Sequence, residues 1–434
     1  MKRLSSFALP VVGLALLIGQ ARADDEIYAL HGQATFVDQY HPAFTSRFMG
    51  ANSMDPGSRG EETFDMTLFA ALRLWKGGAL YVNPELDQGF GLSNTLGAAG
   101  FPSGEAYKVG KSSPYFRLQR LFFRQTFDLG GEEETVAPAA NQLGATQSSD
   151  TLVVTFGKIS VTDIFDANQY AHDPKGDFMN WSLIDSGAFD YAADAWGYSY
   201  GLAAEWNQDW WTARAGLFDL SRVPNTTELE TDLSQFELVS EFEARHSLLG
   251  APGKIKLLVF LNRGRMGSYN DAVRLAGGAI PDIAPVRRYA SRAGGAINLE
   301  QAITGDLGGF ARVSLNDGSE EAYEFTEINR SIALGLSLKG SSWGRADDTA
   351  GLAFVNNAIS QAAQNYFAAG GLGILIGDGG LPHYGTENIV ETYYSFAATN
   401  WASLSADYQL IVNPAYNSDR GPISVLGLRL HGQF

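Results

Sequence analysis

The sequence predicts an all-β fold, an antiparallel transmembrane β-barrel of about sixteen strands in the bacterial outer membrane. Three observations support this prediction. About sixteen segments alternate between apolar and polar residues, short and long connections alternate between these segments, and most tryptophans fall at segment ends. Each feature is expected of a barrel that faces lipid on its outside and water on its inside.

The last segment, 422–434, alternates most clearly. One parity is apolar and the other is polar, which places the two sets on opposite faces of a strand. In a soluble sheet the apolar face would meet a core, whereas in a membrane barrel it meets lipid. A length of roughly ten residues suits a tilted membrane crossing. The apolar parity carries Leu426, Leu428, Leu430 and Gly432, and the polar parity carries Arg429, His431 and Gln433.

Segments of this kind recur along the whole chain. Their even number is expected of a single-chain barrel. No stretch after the first residues approaches the ~18 consecutive apolar residues of a membrane helix, and only helices and closed barrels satisfy every backbone group in lipid. The predicted strands are 27–37, 62–75, 79–88, 113–129, 150–159, 194–206, 210–220, 233–246, 253–264, 290–303, 307–318, 329–340, 348–358, 387–398, 401–412 and 422–434.

The connections between these strands alternate in length. Short turns such as 207–209 and 399–400 lie between long segments near 38–61, 89–112, 160–193, 265–289 and 359–386. Periplasmic turns and external loops of a barrel alternate in this way, whereas a soluble β-sandwich is not expected to do so. Segment 130–149 is an exception, because it is long where a short turn is predicted.

Six tryptophans lie at the ends of predicted strands. Indole rings prefer the membrane–water interface, where the ring is apolar and its N–H remains hydrated. We therefore expect these residues in the two aromatic belts of a barrel. They are Trp75, Trp196, Trp206, Trp210, Trp211 and Trp401.

The first 23 residues have the pattern of a signal peptide. Lys2 and Arg3 precede an apolar run over 7–18, which ends at a small-x-small site, 21–23. The run is too short to span a bilayer. We expect cleavage after Ala23, so that residues 24–434 form a single exported barrel domain.

Composition argues against several classes of function. The formal net charge of −17 disfavours nucleic-acid partners, and the lack of cysteine removes disulfide and metal-thiolate sites. The six histidines show no metal-ligand spacing and none lies beside a nucleophile motif. We therefore expect no catalytic site, no metal and no cofactor, and we interpret the protein as not being an enzyme.

The most distinctive stretch is 157–211, which contains Thr-Asp-Ile-Phe-Asp-x-Asn-x-Tyr over 162–170 and Phe-x-Asn over 178–180. With the runs listed below, the chain resembles the carbohydrate-selective porins of the OprB type almost end to end. These runs are Gly344-Arg345 with Asp347-Asp348, Glu391-Thr-Tyr-Tyr394, Asp407-Tyr-Gln409, Asn413-Pro-Ala-Tyr-Asn417, Asp419-Arg-Gly-Pro422 and Arg429-x-His431-x-x-Phe434.

The resemblance implies a sixteen-stranded outer-membrane channel for sugars, with inward-folded loops that narrow the pore. The positions it carries over lie on the long loop near 160–193: Asp163, Asp166, Asn168 and Asn180. We expect the part of this loop from Asp163 to Trp181 to fold into the barrel and set its narrowest section. For Asp347 and Asp348, a structural pairing with Arg345 is the preferred interpretation. Separately, a carboxyl-terminal Phe434 that closes an alternating strand resembles the signal that the bacterial barrel-assembly machinery reads.

Strand parity predicts which charges face the lumen. If Leu121 and Phe123 face lipid, Arg120 and Arg124 face inward, and an arginine at the lipid midplane would cost ~2–4 kcal/mol. These groups either only solvate a wide lumen or form a ladder of donors and acceptors that replaces the hydration of sugar hydroxyls. By the same parity the inward set includes Arg73, Arg214, Arg312, Arg429, Glu237, Glu241, Glu243, Asp407 and Gln409.

The sequence therefore predicts passive, selective diffusion of small neutral sugars across the outer membrane. A general or anion-selective porin shares every fold argument and remains the alternative. The expected partners are sugars, outer-membrane lipid and the assembly machinery. The candidate lumen residues are Arg120, Arg124, Asp163, Asp166, Asn168, Asn180, Trp181, Arg214, Asp407 and Gln409.

Overall fold

Sixteen antiparallel strands close into one barrel in the computed structural model, which describes residues 25–108 and 110–434. Every strand pairs with its neighbours in chain order, and the last strand pairs with the first. The predicted barrel is confirmed, while the predicted signal peptide lies outside the described residues. The strands are β1 (Tyr28–His41), β2 (Arg59–Trp75), β3 (Gly78–Gly89), β4 (Lys111–Val136), β5 (Ala145–Ile159), β6 (Ser199–Asn207), β7 (Trp211–Asp219), β8 (Phe236–Leu248), β9 (Ala251–Gly267), β10 (Arg287–Ala302), β11 (Leu307–Asn316), β12 (Arg330–Gly340), β13 (Arg345–Ala358), β14 (Glu387–Ala397), β15 (Ala402–Val412) and β16 (Ile423–Gln433).

In the part of the chain that the structure describes, the long connections carry three short helices. Among the described residues no helix has both the length and the apolar character that crossing a bilayer requires. The helices are α1 (Trp181–Ile184), α2 (Tyr269–Ala276) and α3 (Gln361–Ala368), and single 3-10 turns lie at Leu92–Thr95, Val161–Asp163, Ala284–Val286, Ser341–Trp343 and Pro414–Tyr416.

The strands alternate as predicted. In β12, Ile332 and Leu334 are half exposed on the outside, whereas Ser331 and Ala333 are buried on the inside. Because the outer face consists mainly of apolar side chains, it matches the hydrocarbon of a membrane. Most predicted boundaries agree with the observed ones to within about three residues.

The largest boundary differences lie in β4, β5 and β6. Strands β4 and β5 continue as a hairpin well beyond the predicted ends, and β6 begins only at Ser199. The expectation that Trp196 lies in an aromatic belt is therefore wrong, because this residue precedes β6 and is buried inside the barrel. Its ring lies under the Arg117 guanidinium at 3.3 Å. Trp75, Trp206, Trp210 and Trp401 are exposed on the outer surface, as expected.

Candidate functional site in the barrel lumen

The connection between β5 and β6, residues 160–198, lies inside the barrel and is here called the inner loop. Most of its residues are buried although they belong to no long helix or strand. A buried loop must satisfy its backbone polar groups within the protein. Charged side chains on the barrel wall meet this requirement, and they determine where the inner loop lies.

Two buried arginines on the wall bind carbonyl groups of the inner loop. Arg312 on β11 donates to the carbonyl of Leu183 at 2.6 Å and to that of Ala171 at 2.7 Å. Arg429 on β16 donates to the carbonyls of Pro174 and Gly176 at 2.5 and 2.9 Å. The inward-facing arginine ladder predicted from parity therefore serves, at these two positions, to anchor the loop.

A negatively charged side chain, Glu391 on β14, also anchors the inner loop. Glu391 accepts hydrogen bonds from the backbone N–H groups of Met179 and Asn180, at 2.5 and 3.0 Å. Asn180 in turn caps α1, because its side-chain oxygen accepts from the N–H of Ser182 at 3.1 Å. The next residue, Trp181, is thereby placed on the lumen side of the loop.

A central cavity of about 360 Å³ lies between the inner loop and the wall formed by β1 to β4. Its volume falls in the range of about 300–1,000 Å³ that is usual for small-molecule sites. The lining combines charged side chains with aromatic rings. These residues include Phe101, Glu105, Lys108, Arg120, Asp163, Lys175, Trp181, Tyr191, Trp196, Tyr198 and Phe325.

Arg120 and Asp163 form an ion pair at this cavity. The guanidinium donates from Nε to Oδ2 at 2.7 Å and from Nη2 to Oδ1 at 2.6 Å. Asp163 also accepts from the N–H of Ser160 at 3.0 Å, which fixes the start of the inner loop. Burial alone would raise the pKa of Asp163, but the charge of Arg120 and its hydrogen bonds outweigh burial and lower that pKa.

A β-bulge turns Arg120 toward the lumen. The pairing of β3 with β4 shifts between Asn83 and Pro84, so Gln119 has no direct partner. Proline has no N–H to donate to the ladder, which favours such an irregularity. Parity alone correctly predicted that Arg120 faces inward, but it did not predict that Gln119 is buried beside it.

Lys175 provides a second set of paired charges at the cavity. Its ammonium group contacts the carboxylates of Asp65, at 2.8 Å, and of Glu105. Burial would lower the pKa of Lys175, but the two carboxylates outweigh burial and raise that pKa well above its ordinary value. The cation is therefore held between two acids and is not free to bind an anion.

Four aromatic rings form a continuous stack along the same cavity. Trp181 lies against Phe101, with centroids 5.1 Å apart, and against Phe325, with centroids 4.6 Å apart. The ring of Phe325 continues to Tyr191 at 4.3 Å. This aromatic stack (Phe101, Trp181, Tyr191 and Phe325) draws on three separate connections of the barrel. It provides an apolar surface beside the paired charges.

Arg124 lies nearer the periplasmic end of the lumen. It donates to the backbone carbonyl of Asn141 at 2.8 Å and weakly to the hydroxyl of Thr155 at 3.4 Å. It also lines a second cavity, of about 830 Å³, at that end of the barrel. Of the ten residues predicted for the lumen, Arg120, Arg124, Asp163 and Trp181 therefore line cavities.

Asp166 and Asn168 lie outside the cavity lining, in the contact between the inner loop and β10. Asp166 is fully buried and accepts from the Ser186 hydroxyl at 2.9 Å and from the Asn298 amide at 2.8 Å. Asn168 donates to the side-chain oxygen of Asn298 at 2.7 Å. Asp166 and Asn168 therefore anchor the inner loop to β10.

Asn180, Arg214, Asp407 and Gln409 are likewise held in buried networks away from the two cavities. Gln409 donates to the Asp407 carboxylate at 3.1 Å and accepts from the Asn180 amide at 3.0 Å. Arg214 bonds to three glutamates of β6 and β8, at 2.7 to 3.2 Å. The acids are Glu205, Glu241 and Glu243.

Sequence analysis missed several residues of the cavity wall. Lys108 and Glu105 come from the β3–β4 connection, and Phe325 comes from the β11–β12 connection. The run Glu-Glu-Ala-Tyr-Glu-Phe over 320–325 is unusually rich in acids and aromatics for a loop. This composition could have indicated that Phe325 belongs to the cavity wall. No comparable pattern marks Lys108 or Glu105.

One further expectation concerns a pair of residues outside this cavity. Arg345 donates to both carboxylate oxygens of Asp348, at 2.5 and 2.9 Å, which confirms a structural pairing near the periplasmic turn for that acid. Within 25–108 and 110–434, no cluster of three or more His, Asp or Glu side chains is arranged to hold a metal ion.

The closed barrel, its apolar outer belt and its polar, loop-narrowed lumen define an outer-membrane channel of the porin class. The chain belongs to the family described as carbohydrate-selective porin, OprB family, whose sequence profile matches residues 51–434. The resemblance seen in the sequence is thereby confirmed. As a member of this family, the protein is a carbohydrate-selective porin of the bacterial outer membrane.

Solved structures share the fold. The high-pH structure of OprB from Pseudomonas putida superposes with a TM-score of 0.71 at 16% identity, and the match covers 94% of each chain. The outer membrane channel DcaP of Acinetobacter baumannii gives a TM-score of 0.51 at 10% identity, covering 96% of this chain and 100% of the other. No curated protein sequence matches the chain.

Proposed function

We propose that this porin conducts small neutral saccharides by passive diffusion, and that the central cavity is where it selects them. One observation carries this proposal: the Arg120–Asp163 ion pair and the aromatic stack line the same cavity. A sugar offers hydroxyl groups around its edge and C–H groups on its faces. The cavity supplies charged donors and acceptors for the first and aromatic rings for the second.

The pairing of charges favours a neutral solute. Of the three lysine and arginine side chains in the lining, Arg120 is bonded to Asp163 and Lys175 is held between Asp65 and Glu105. The third, Lys108, donates to the backbone carbonyl of Glu324. A site for anions would present cations without such partners, because a bound anion must replace the protein carboxylate. Paired groups still have donor and acceptor capacity for hydroxyls, so they can replace part of the hydration of a sugar.

The contacts must remain weak for conduction to occur. A site that binds tightly cannot release its solute on the far side. We therefore expect a millimolar apparent affinity, on the order of 4 kcal/mol. The flux should follow the gradient and saturate at high sugar concentration.

The test is swelling of liposomes that contain the purified protein. Glucose should enter faster than an N-acetylated dipeptide amide of similar mass, which is neutral but lacks the polyol pattern. Equal rates for the two solutes would favour a general diffusion porin instead. Reversal potentials in gradients of potassium gluconate and potassium chloride provide the second measurement, and a strong preference for gluconate would favour an anion channel.

A further inference from the structure

The turn that joins β4 to β5 differs from the other periplasmic connections. Residues 137–144, here called the hairpin tip, do not extend away from the barrel but reach into the lumen. Leu143 is buried in an apolar cluster that includes Tyr81 and Phe122 of the barrel wall. This segment lies within 130–149, which is long where a short periplasmic turn is predicted. Its position inside the barrel explains the extra length.

Two glycines bend the hairpin at the rim of the barrel. Gly130 and Gly131 have positive φ angles of 117° and 88°, a conformation that other residues rarely adopt. The pairing of β4 with β5 shifts register on both sides of Gly130. Bulges of this kind bend a strand and increase its twist. The chain beyond them can therefore turn back toward the lumen.

The hairpin tip is fixed to the wall by hydrogen bonds. The Asn83 amide donates to the side-chain oxygen of Asn141 at 2.8 Å, and Arg124 donates to the carbonyl of Asn141 at 2.8 Å. At the base, Arg73 donates to the carbonyl of Gly144 at 2.9 Å. The tip is therefore a structured part of the pore wall.

The cavities of the lumen meet at the hairpin tip. Asn141 lines both the central cavity and a smaller cavity of about 260 Å³, which it shares with Asp163 and Arg124. Gln142 and Arg124 line that smaller cavity and also the periplasmic cavity. A solute that leaves the central cavity toward the periplasm thus meets these side chains in sequence.

We propose that the hairpin tip forms a second constriction of the pathway, in which Asn141 and Arg124 contact the solute after the central cavity. The proposal rests on the proposed function only for the identity of the solute, a neutral saccharide. Two narrow sections in series each contribute to the resistance of the channel. Blocking or removing either one must therefore change the ion conductance, whether or not sugar is present.

The experiment uses the absence of cysteine from the chain. In Asn141→Cys, the new thiol is the only one in the protein and can be modified by a bulky methanethiosulfonate reagent in a planar bilayer. We expect modification to lower the single-channel conductance by half or more. Reaction should be faster from the periplasmic side, because the inner loop and the rest of the central cavity lie between this residue and the extracellular side.

The matched control is Glu133→Cys, on the same hairpin but exposed and not among the residues that line the three cavities. Labelling of this variant, verified by mass, should leave the conductance unchanged. An unchanged conductance in labelled Asn141→Cys would overturn the proposal, and so would a failure of this thiol to react from either side. Gln142→Cys serves as a second position if the first variant does not fold.

Shortening the hairpin gives an independent measurement. Replacing residues 138–143 by an Asn-Gly turn should raise the conductance about twofold, and no increase would contradict a constriction at the tip. Because these currents are recorded without sugar, they can support the second constriction even if liposome swelling shows no sugar preference. The two proposals can therefore fail separately.

Discussion

The guanidinium of Arg120 and the carboxylate of Asp163 form two parallel hydrogen bonds between the barrel wall and the inner loop, at 2.7 and 2.6 Å. One partner belongs to the barrel wall and the other to the inner loop, 43 residues further along the chain. Planar, two-bond pairing of this type is both strong and geometrically specific. The pair therefore positions the loop and at the same time presents polar groups to the cavity.

Replacing Arg120 by Ala should weaken sugar binding and change ion selectivity. The substitution removes donors from the cavity and leaves the Asp163 carboxylate without its cation, so the lumen becomes more negative. We expect the affinity for glucose, measured as block of the ion current, to fall about tenfold, which corresponds to ~1.4 kcal/mol. The reversal potential should shift toward cation preference.

The double variant Arg120→Ala with Asp163→Ala tests whether the pair acts as a unit. Removing both charges should restore much of the original ion preference while sugar block stays weak. A sugar affinity for Arg120→Ala that equals the wild-type value would show that these donors do not contact the solute.

Trp181→Ala should weaken sugar block without changing ion selectivity. The substitution removes the central ring of the aromatic stack but no charge. Aromatic contacts are worth about 0.5–1.5 kcal/mol, so the affinity should fall by about twofold to twelvefold. Trp181→Phe keeps an aromatic face and should retain most of the affinity. If the Ala and Phe variants bind glucose equally well, the stack is not part of the sugar path.

Asn180→Ala should destabilise the inner loop while leaving the barrel closed. The side chain caps α1 and also bonds to Gly100 and Gln409, and removal of such a cap costs about 0.5–2 kcal/mol. We expect noisier open-channel currents and a lower temperature for the gel-mobility shift of the folded form. The exposed amide of Gln361 provides the control, since Gln361→Ala should change neither quantity. Quiet currents in Asn180→Ala would contradict an anchoring role.

Ion selectivity should depend on pH through Lys108. Burial lowers the pKa of Lys108 to about 8, although nearby acids, Glu324 first among them, favour the charged form. This side chain lines the central cavity, so the cavity loses a positive charge as the pH rises through 8. We expect the reversal potential to shift toward cation preference between pH 7 and pH 9.5. Burial also raises the pKa of Glu105, in the same cavity, to about 8, so ionisation of this acid adds a shift of the same sign. In Lys108→Met the shift should be smaller but not abolished, and shifts of the same size in both proteins would contradict the assignment.

The strands of this protein could be predicted because the same constraint acts within each strand. A strand in a membrane barrel exposes every second residue to lipid, so residues such as Ile332 and Leu334 carry the pattern within their own segment. The prediction was less accurate for β4 and β5. Beyond the bulge at Gly130 and Gly131, β4 and β5 remain paired past the rim of the barrel. Residues there do not face lipid, so their sequence does not alternate between apolar and polar.

Trp196 shows why a local pattern can mislead. An aromatic residue just before a strand is typical of the membrane interface, yet this ring lies inside the barrel against Arg117. The difference depends on the path of the inner loop. That path is set by partners distant in sequence, such as Glu391, which binds the N–H of Asn180 across 211 residues.

The sequence by itself determined the barrel, its compartment and which charges face inward, because these follow from a period of two and from the cost of placing charge in lipid. Only the tertiary structure decided what each inward charge does. Arg120 and Arg312 both face the lumen. Arg120 lines the central cavity, whereas Arg312 donates to carbonyl groups of the inner loop. The reason is physical: the role of a lumen side chain depends on which part of the folded-in loop lies opposite it, and long-range hydrogen bonds determine that position.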